Sequence, residues 1–94
     1  MAIVYILYSK KMDRYYTGSC LDLEIRMIEH RDRTFKDSYT SKADDWELVF
    51  SIENLSYESA RKVEAHIKKM KSKKYIENIK MYPELREKLV RRFQ

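Results

Sequence analysis

One glycine and one proline among 94 residues constrain this chain more than any other feature. Average usage is roughly 7% Gly and 5% Pro, and most tight turns draw on one or the other. So few of both argues against a many-turned all-β sandwich and for a small number of long elements on short loops. A glycine-rich phosphate cradle is excluded outright. At this length the chain has room for one compact domain. Such a domain buries about two-thirds of its unfolded-state surface, which argues against a large substrate-enclosing cavity. The 44% hydrophobic content suffices for a core, and the 37% charged content is high.

A single cysteine, Cys20, permits neither an internal disulfide nor a cysteine-based zinc site. No apolar run approaches the ~20 residues of a membrane span. The apolar stretch Ala2 to Leu7 lacks the basic region and cleavage site of a signal peptide. A cytoplasmic setting without membrane contact is expected.

Residues 3–9 are β-branched and aromatic nearly throughout, which predicts a central strand buried on both faces. Residues 10–13 supply a turn, and Arg14 to Gly18 reads as a strand pairing back, ended by Gly18. Ser19 or Asp22 can cap a helix from Leu21 to about Arg33, with Leu21, Ile25 and Ile28 as its apolar stripe. Residues 34–45 are polar and aperiodic, a loop long enough to suggest function. Trp46 to Ile52 reads as the third strand. Ser56 caps a helix from Tyr57 to about Met70, striped by Ala60, Val63, Ile67 and Met70. The pattern restarts near Ser72, with Tyr75, Ile76 and Ile79 in a short helix. Pro83 then suits the first turn of a last helix striped by Leu85, Leu89 and Phe93. The expected fold is α/β of the α+β kind, a small three-stranded antiparallel sheet flanked by helices. Its order is ββαβα plus C-terminal helices, with residues 1–80 as the main domain and 81–94 as a helical extension of it. The last stripe either closes the chain's own core or docks a second copy in a homodimer.

Charge is unevenly placed. Residues 1–60 hold 8 Lys/Arg against 11 Asp/Glu, whereas residues 61–94 hold 12 against 4. The densest run is Lys68, Lys69, Lys71, Lys73 and Lys74. A concentrated basic surface attracts polyanions, nucleic acid foremost, although lysines also decorate ordinary solvated helices.

Eight tyrosines are unusual in a chain this short. Strand pairing brings Tyr5 and Tyr16 close, and Gly18, two residues on, allows a close backbone approach. Asp22, Arg26 and His30 fall at i, i+4 and i+8, one polar file on the first helix. Glu64 borders the stripe of the next helix, where it either turns inward or pairs with Lys68 at i+4. His66 reads as helix surface. Each feature alone has an ordinary structural reading.

Together they resemble the GIY-YIG nuclease family. Ile3-Val4-Tyr5 resembles its first motif, and Tyr16-Thr17-Gly18, ten residues on, its second. Leu23 to His30 resembles the family's Arg-x-x-x-His helix, and Trp46 to Val49 the third strand of small stand-alone bacterial members. Ser59 to Glu64 resembles the glutamate-bearing helix, continued by the lysine run. The likeness covers roughly residues 3–80 and includes the nuclease domain of the excision-repair incision subunit. Ile3 stands where the namesake glycine is usual, and Thr17 where isoleucine is.

The resemblance implies a metal-dependent endonuclease acting on phosphodiester bonds of nucleic acid, DNA in the first place, with DNA repair as a setting. Tyr5 would be the general base, Tyr16 would position water or phosphate, and Arg26 would neutralise developing phosphate charge. His30 would hold the phosphate or relay a proton, and Glu64 would bind one divalent ion, Mg²⁺ or Mn²⁺. No small-molecule cofactor is implied. Lys68, Lys69, Lys71, Lys73 and Lys74 would hold the nucleic-acid backbone with little sequence preference. For this the two phenols, the guanidinium and the acid must converge on one shallow cleft. The alternative is a non-catalytic nucleic-acid-binding domain on the same fold.

Overall fold

The computed structural model describes residues 1–31 and 42–94. Its elements are β1 (Ala2–Ser9), β2 (Arg14–Cys20), α1 (Leu23–Arg31), β3 (Glu47–Leu55), α2 (Tyr57–Met70), α3 (Lys73–Met81) and α4 (Pro83–Arg92). The order is ββαβα followed by two helices, as expected. Of the expected loop, residues 34–41 lie outside the described residues.

The three strands form one antiparallel sheet ordered β2-β1-β3, so the most apolar strand is the central one. Side chains alternate across a strand, and both faces of β1 are covered, hence its unbroken apolar sequence. Ala2, Val4 and Ile6 join Ile52 and Leu55 of β3, Ala60, Val63 and Ile67 of α2, Ile76 and Ile79 of α3, and Leu89 of α4. Tyr5 and Leu7 face the other way, where Cys20, Leu23, Met27, Tyr16 and Trp46 pack around them. The sheet therefore carries α1 on one face and α2 to α4 on the other.

The helix boundaries follow from capping chemistry. The Ser56 hydroxyl accepts from the Ser59 backbone N–H at 3.0 Å, and the Ser72 hydroxyl accepts from that of Tyr75 at 3.1 Å. Pro83 opens α4, where its missing N–H costs nothing. The Arg86 guanidinium donates to the Ile79 and Lys80 carbonyls, fastening α4 to the end of α3. With glycine so scarce, left-handed backbone falls to Asp13, Asn54 and Lys71.

Four expectations need correction. β2 does not end at Gly18 but pairs on through Cys20, opposite Ile3, because Gly18 keeps an extended backbone. β3 runs past Ile52 to Leu55, which pairs with Ala2. The α1 stripe is inverted: Leu21, Ile25 and Ile28 are 67%, 57% and 53% exposed, and Leu23, Met27 and His30 face the sheet. Met70 is also exposed, so the α2 stripe stops at Ile67.

The last helix closes the chain's own core through Leu89, with Val90 and Phe93 packed alongside. Leu89→Ala is expected to cost about 2–4 kcal/mol in urea unfolding. The same change at the partly exposed Leu85 is expected to cost under ~1 kcal/mol. Equal costs at the two positions would contradict this packing.

Candidate active site

The site begins with one side chain crossing a strand. Tyr5 lies directly opposite Gly18 in the β1–β2 ladder, and Leu7 lies opposite Tyr16. Tyr5 and Tyr16 are thus diagonal neighbours on one face, with ring centroids 6.3 Å apart. A Cβ at position 18 would stand 2.5 Å from Tyr5 Oη and 2.6 Å from its Cζ, and 3.0 Å from Tyr16 Cε2. The phenol therefore lies over bare glycine backbone, directed toward the outer edge of β2.

Helix α1 supplies the partner. The Asp22 carboxylate accepts from the Ile25 backbone N–H and caps the helix, so of the polar file only Arg26 and His30 continue toward the site. Tyr5 Oη and His30 Nε2 are hydrogen-bonded at 2.8 Å, both groups buried. The His30 ring meets Tyr16 edge-on at 5.5 Å, and Trp46 also meets Tyr16 edge-on at 6.4 Å. Arg26, one turn before His30, pairs with Glu29 at 3.6 Å.

Burial dominates the electrostatics here. It pushes the Tyr5 phenol well above the ordinary tyrosine range, with Tyr16 adding to the rise and the Arg26 guanidinium partly offsetting it. Burial also lowers the His30 imidazole, helped by Arg26 and opposed by Glu29. At neutral pH the pair is a protonated phenol against a neutral imidazole.

Glu64 comes from the opposite layer. Its helix, α2, packs on the Val4 face, so the acid does not share a face with Tyr5 and Tyr16. It meets them instead around the free edge of β2. Ser19, next to Gly18 and pointing to the α2 side, donates its hydroxyl to Glu64 Oε1 at 2.5 Å. Lys68 Nζ donates to Oε2 at 2.7 Å and lies 5.6 Å over the Tyr16 ring. Glu64 is also near enough to raise the Tyr5 phenol. The expected single cleft is thus replaced by a site that straddles an edge strand. Ser19 was not foreseen; its signal was the alternation rule, which turns the residue after Gly18 toward α2.

A groove of about 560 Å³ runs along the same edge, lined by Arg14, Tyr15 and Tyr16 of β2 and by Lys68, Lys71 and Lys73. Three of the five lysines in the basic run therefore border it. Lys69 and Lys74 are exposed outside its wall. Lys73 also pairs at 2.7 Å with Asp13, whose other oxygen accepts from the Tyr8 hydroxyl at 2.6 Å. Thr17 is buried against the α2 side, and Ile3 packs with the Tyr5 cluster. His66 is not simple surface, since Tyr75 meets it edge-on and Phe93 lies tilted against it.

Among the described residues no cluster of three or more His, Cys, Asp or Glu side chains forms a metal cage. Glu64 nevertheless fits a hard divalent ion. Mg²⁺ commonly takes one or two carboxylates plus water and substrate oxygens, and this carboxylate already holds a cationic ammonium.

A family model described as the GIY-YIG catalytic domain matches residues 1–76. No curated protein and no solved structure gives a significant match. Among the described residues no helix is long and apolar enough to cross a membrane.

Two outcomes follow from this geometry. Gly18→Ala forces the Tyr5 ring off the strand, and its loss of the His30 contact is expected to appear as a shifted imidazole resonance in NMR. An unchanged His30 resonance would contradict the crossing. His30 and His66 both have lowered folded-state pKa values, so the unfolded chain binds more protons. Their share of stability is present above an unfolded pKa of about 6.5 and is lost as pH falls through it toward the folded values. Urea unfolding at pH 7.5 and 5.5 is expected to show this loss, reduced in His30→Gln to the His66 share.

Proposed function

The chain belongs to the GIY-YIG nuclease family, and we propose that it is a divalent-metal-dependent DNA endonuclease built on Tyr5, Tyr16, Arg26, His30 and Glu64. One observation carries this reading: the buried Tyr5–His30 hydrogen bond lies beside Gly18 of β2, and the next residue of that strand, Ser19, holds Glu64.

Phosphodiester hydrolysis needs an activated water and neutralisation of charge on the phosphoryl oxygens. A buried phenol is a poor base by itself, so Tyr5 acts as one member of a relay. Water passes its proton to Tyr5 Oη while the phenolic proton passes to His30 Nε2, which is neutral and able to accept it. Tyr16 holds the phosphate or the water beside the two rings. Arg26 presents a planar fork of donors to the phosphoryl oxygens as negative charge grows there. Glu64, braced by Ser19, would hold Mg²⁺ or Mn²⁺. When bound, that ion supplies positive charge for the scissile phosphate and the leaving oxygen.

Lys71, Lys73 and Arg14 along the groove bind the neighbouring backbone. Such contacts fix register and carry no sequence information, which suits an endonuclease of low sequence preference. Lys69 and Lys74, outside the groove wall, add to the basic field that draws DNA in.

The test is cleavage of branched, nicked and single-stranded DNA with Mg²⁺ or Mn²⁺ under single-turnover conditions. Tyr5→Phe, Arg26→Ala and Glu64→Ala are each expected to slow cleavage about 100-fold or more. Full activity in Tyr5→Phe and Glu64→Ala would rule out the mechanism. Salt-sensitive DNA binding with no hydrolysis by the wild type under either ion would assign the chain to nucleic-acid binding alone.

A further inference from the structure

Glu64 is held by a cation belonging to the chain itself. Lys68, one helical turn on, places Nζ 2.7 Å from Oε2, while Ser19 holds Oε1, so both carboxylate oxygens are engaged. The lysine is the more exposed partner, its side chain 49% exposed against 20% for that of the acid. It also lies above the Tyr16 ring and forms part of the groove wall. Lys68 therefore touches each component that has to change when the site is loaded: the acid, the phenol face and the nucleic-acid track.

We infer that Lys68 is a resident counter-ion that a divalent cation must displace from Glu64, and that a backbone phosphate in the groove draws it away. This rests on Glu64 as the metal-holding residue. A divalent ion held by Oε2 would repel an ammonium at hydrogen-bonding distance from the same oxygen. The four-carbon stem of lysine lets the charge swing off by side-chain rotation alone, which the shorter, hydrogen-bonded Ser19 cannot do. The groove, with Arg14, Lys71 and Lys73 around it, is where an incoming phosphate would meet that charge. Metal loading and nucleic-acid loading are then coupled through one side chain, and by linkage each strengthens the other. Without nucleic acid the ammonium protects the carboxylate from stray cations.

The test uses Mn²⁺ alone, titrated into the full chain with free ion followed by electron paramagnetic resonance. Lys68→Met is expected to bind Mn²⁺ about three- to tenfold more tightly than the wild type, the range for removing a half-exposed competing charge. Lys68→Arg, which keeps the charge, is expected to stay near wild type. Lys62→Met is the charge-matched control, because Lys62 forms the same i, i+4 pair with Glu58 on the same helix. A non-hydrolysable oligonucleotide is expected to abolish the difference between wild type and Lys68→Met. Equal tightening in Lys68→Met and Lys62→Met would overturn the inference, as would a difference that persists with oligonucleotide bound. Glu64→Gln separates the two levels. Unchanged Mn²⁺ binding there would remove Glu64 as the metal residue, whereas lost binding there with no effect of Lys68→Met would remove only the counter-ion.

Discussion

Everything in the site depends on a ring that must cross a strand. Tyr5 belongs to the central strand, and its hydroxyl extends over Gly18 of the edge strand. A methyl group there would overlap the phenol. The chain holds one glycine and uses it at this crossing, not in a turn. Left-handed backbone at Asp13, Asn54 and Lys71 is accepted without glycine, at roughly 1–2 kcal/mol where no side chain compensates. Asp and Asn tolerate that region by local hydrogen bonding, which eases two of the three. Left-handed backbone is tolerated in a turn at Asp13, within β3 at Asn54 and at the end of α2 at Lys71, and steric freedom is reserved for the site.

That crossing also sets the electrostatics. A phenol and an imidazole brought together in a buried layer favour their neutral forms, and both shifts run that way. An uncharged pair is inexpensive to bury, whereas a tyrosinate–imidazolium pair would not be. Charge is left to the rim, with Arg26 toward α1 and Glu64 with Lys68 toward α2. Proton movement between Tyr5 and His30 would then occur inside a neutral layer, flanked by charges of both signs that can follow it.

Much of this was readable from residue order. Ser56, Ser72 and Pro83 mark three helix starts by chemistry that acts within four residues, and the structure begins α2, α3 and α4 there. The Tyr5–Tyr16 neighbourhood follows from strand pairing across a short turn. What was hidden has two causes. Along α1 the polar His30 faces the sheet, while Ile25 and Ile28 face outward and Leu21 is exposed just before the helix, so amphipathicity points the wrong way when site residues occupy the inner face. The layer carrying Glu64 was hidden for a different reason. Helical spacing fixes a residue's place around its own axis but not which side of a sheet that axis covers. That depends on Ala60, Val63 and Ile67 finding Val4 and Ile6, a contact between distant parts of the chain.

The edge placement has a consequence for how metal and fold relate. Structural metal sites gather several ligands, and their binding energy becomes folding energy. Among the described residues no such cluster is present, and Glu64 is already bonded to Ser19 and Lys68. The described fold is held by two apolar layers and serine caps, and Glu64 has its hydrogen bonds without an ion. On the proposed function, a divalent ion at Glu64 would take its other oxygens from water and from the nucleic-acid backbone. Edge strand β2 is where such a backbone can approach from solvent and still touch both layers. Tyr16 stands at that boundary, lining the groove and contacting His30 on one side and Lys68 on the other. A site divided between two faces of a sheet is thus joined by the polyanion it is proposed to cut.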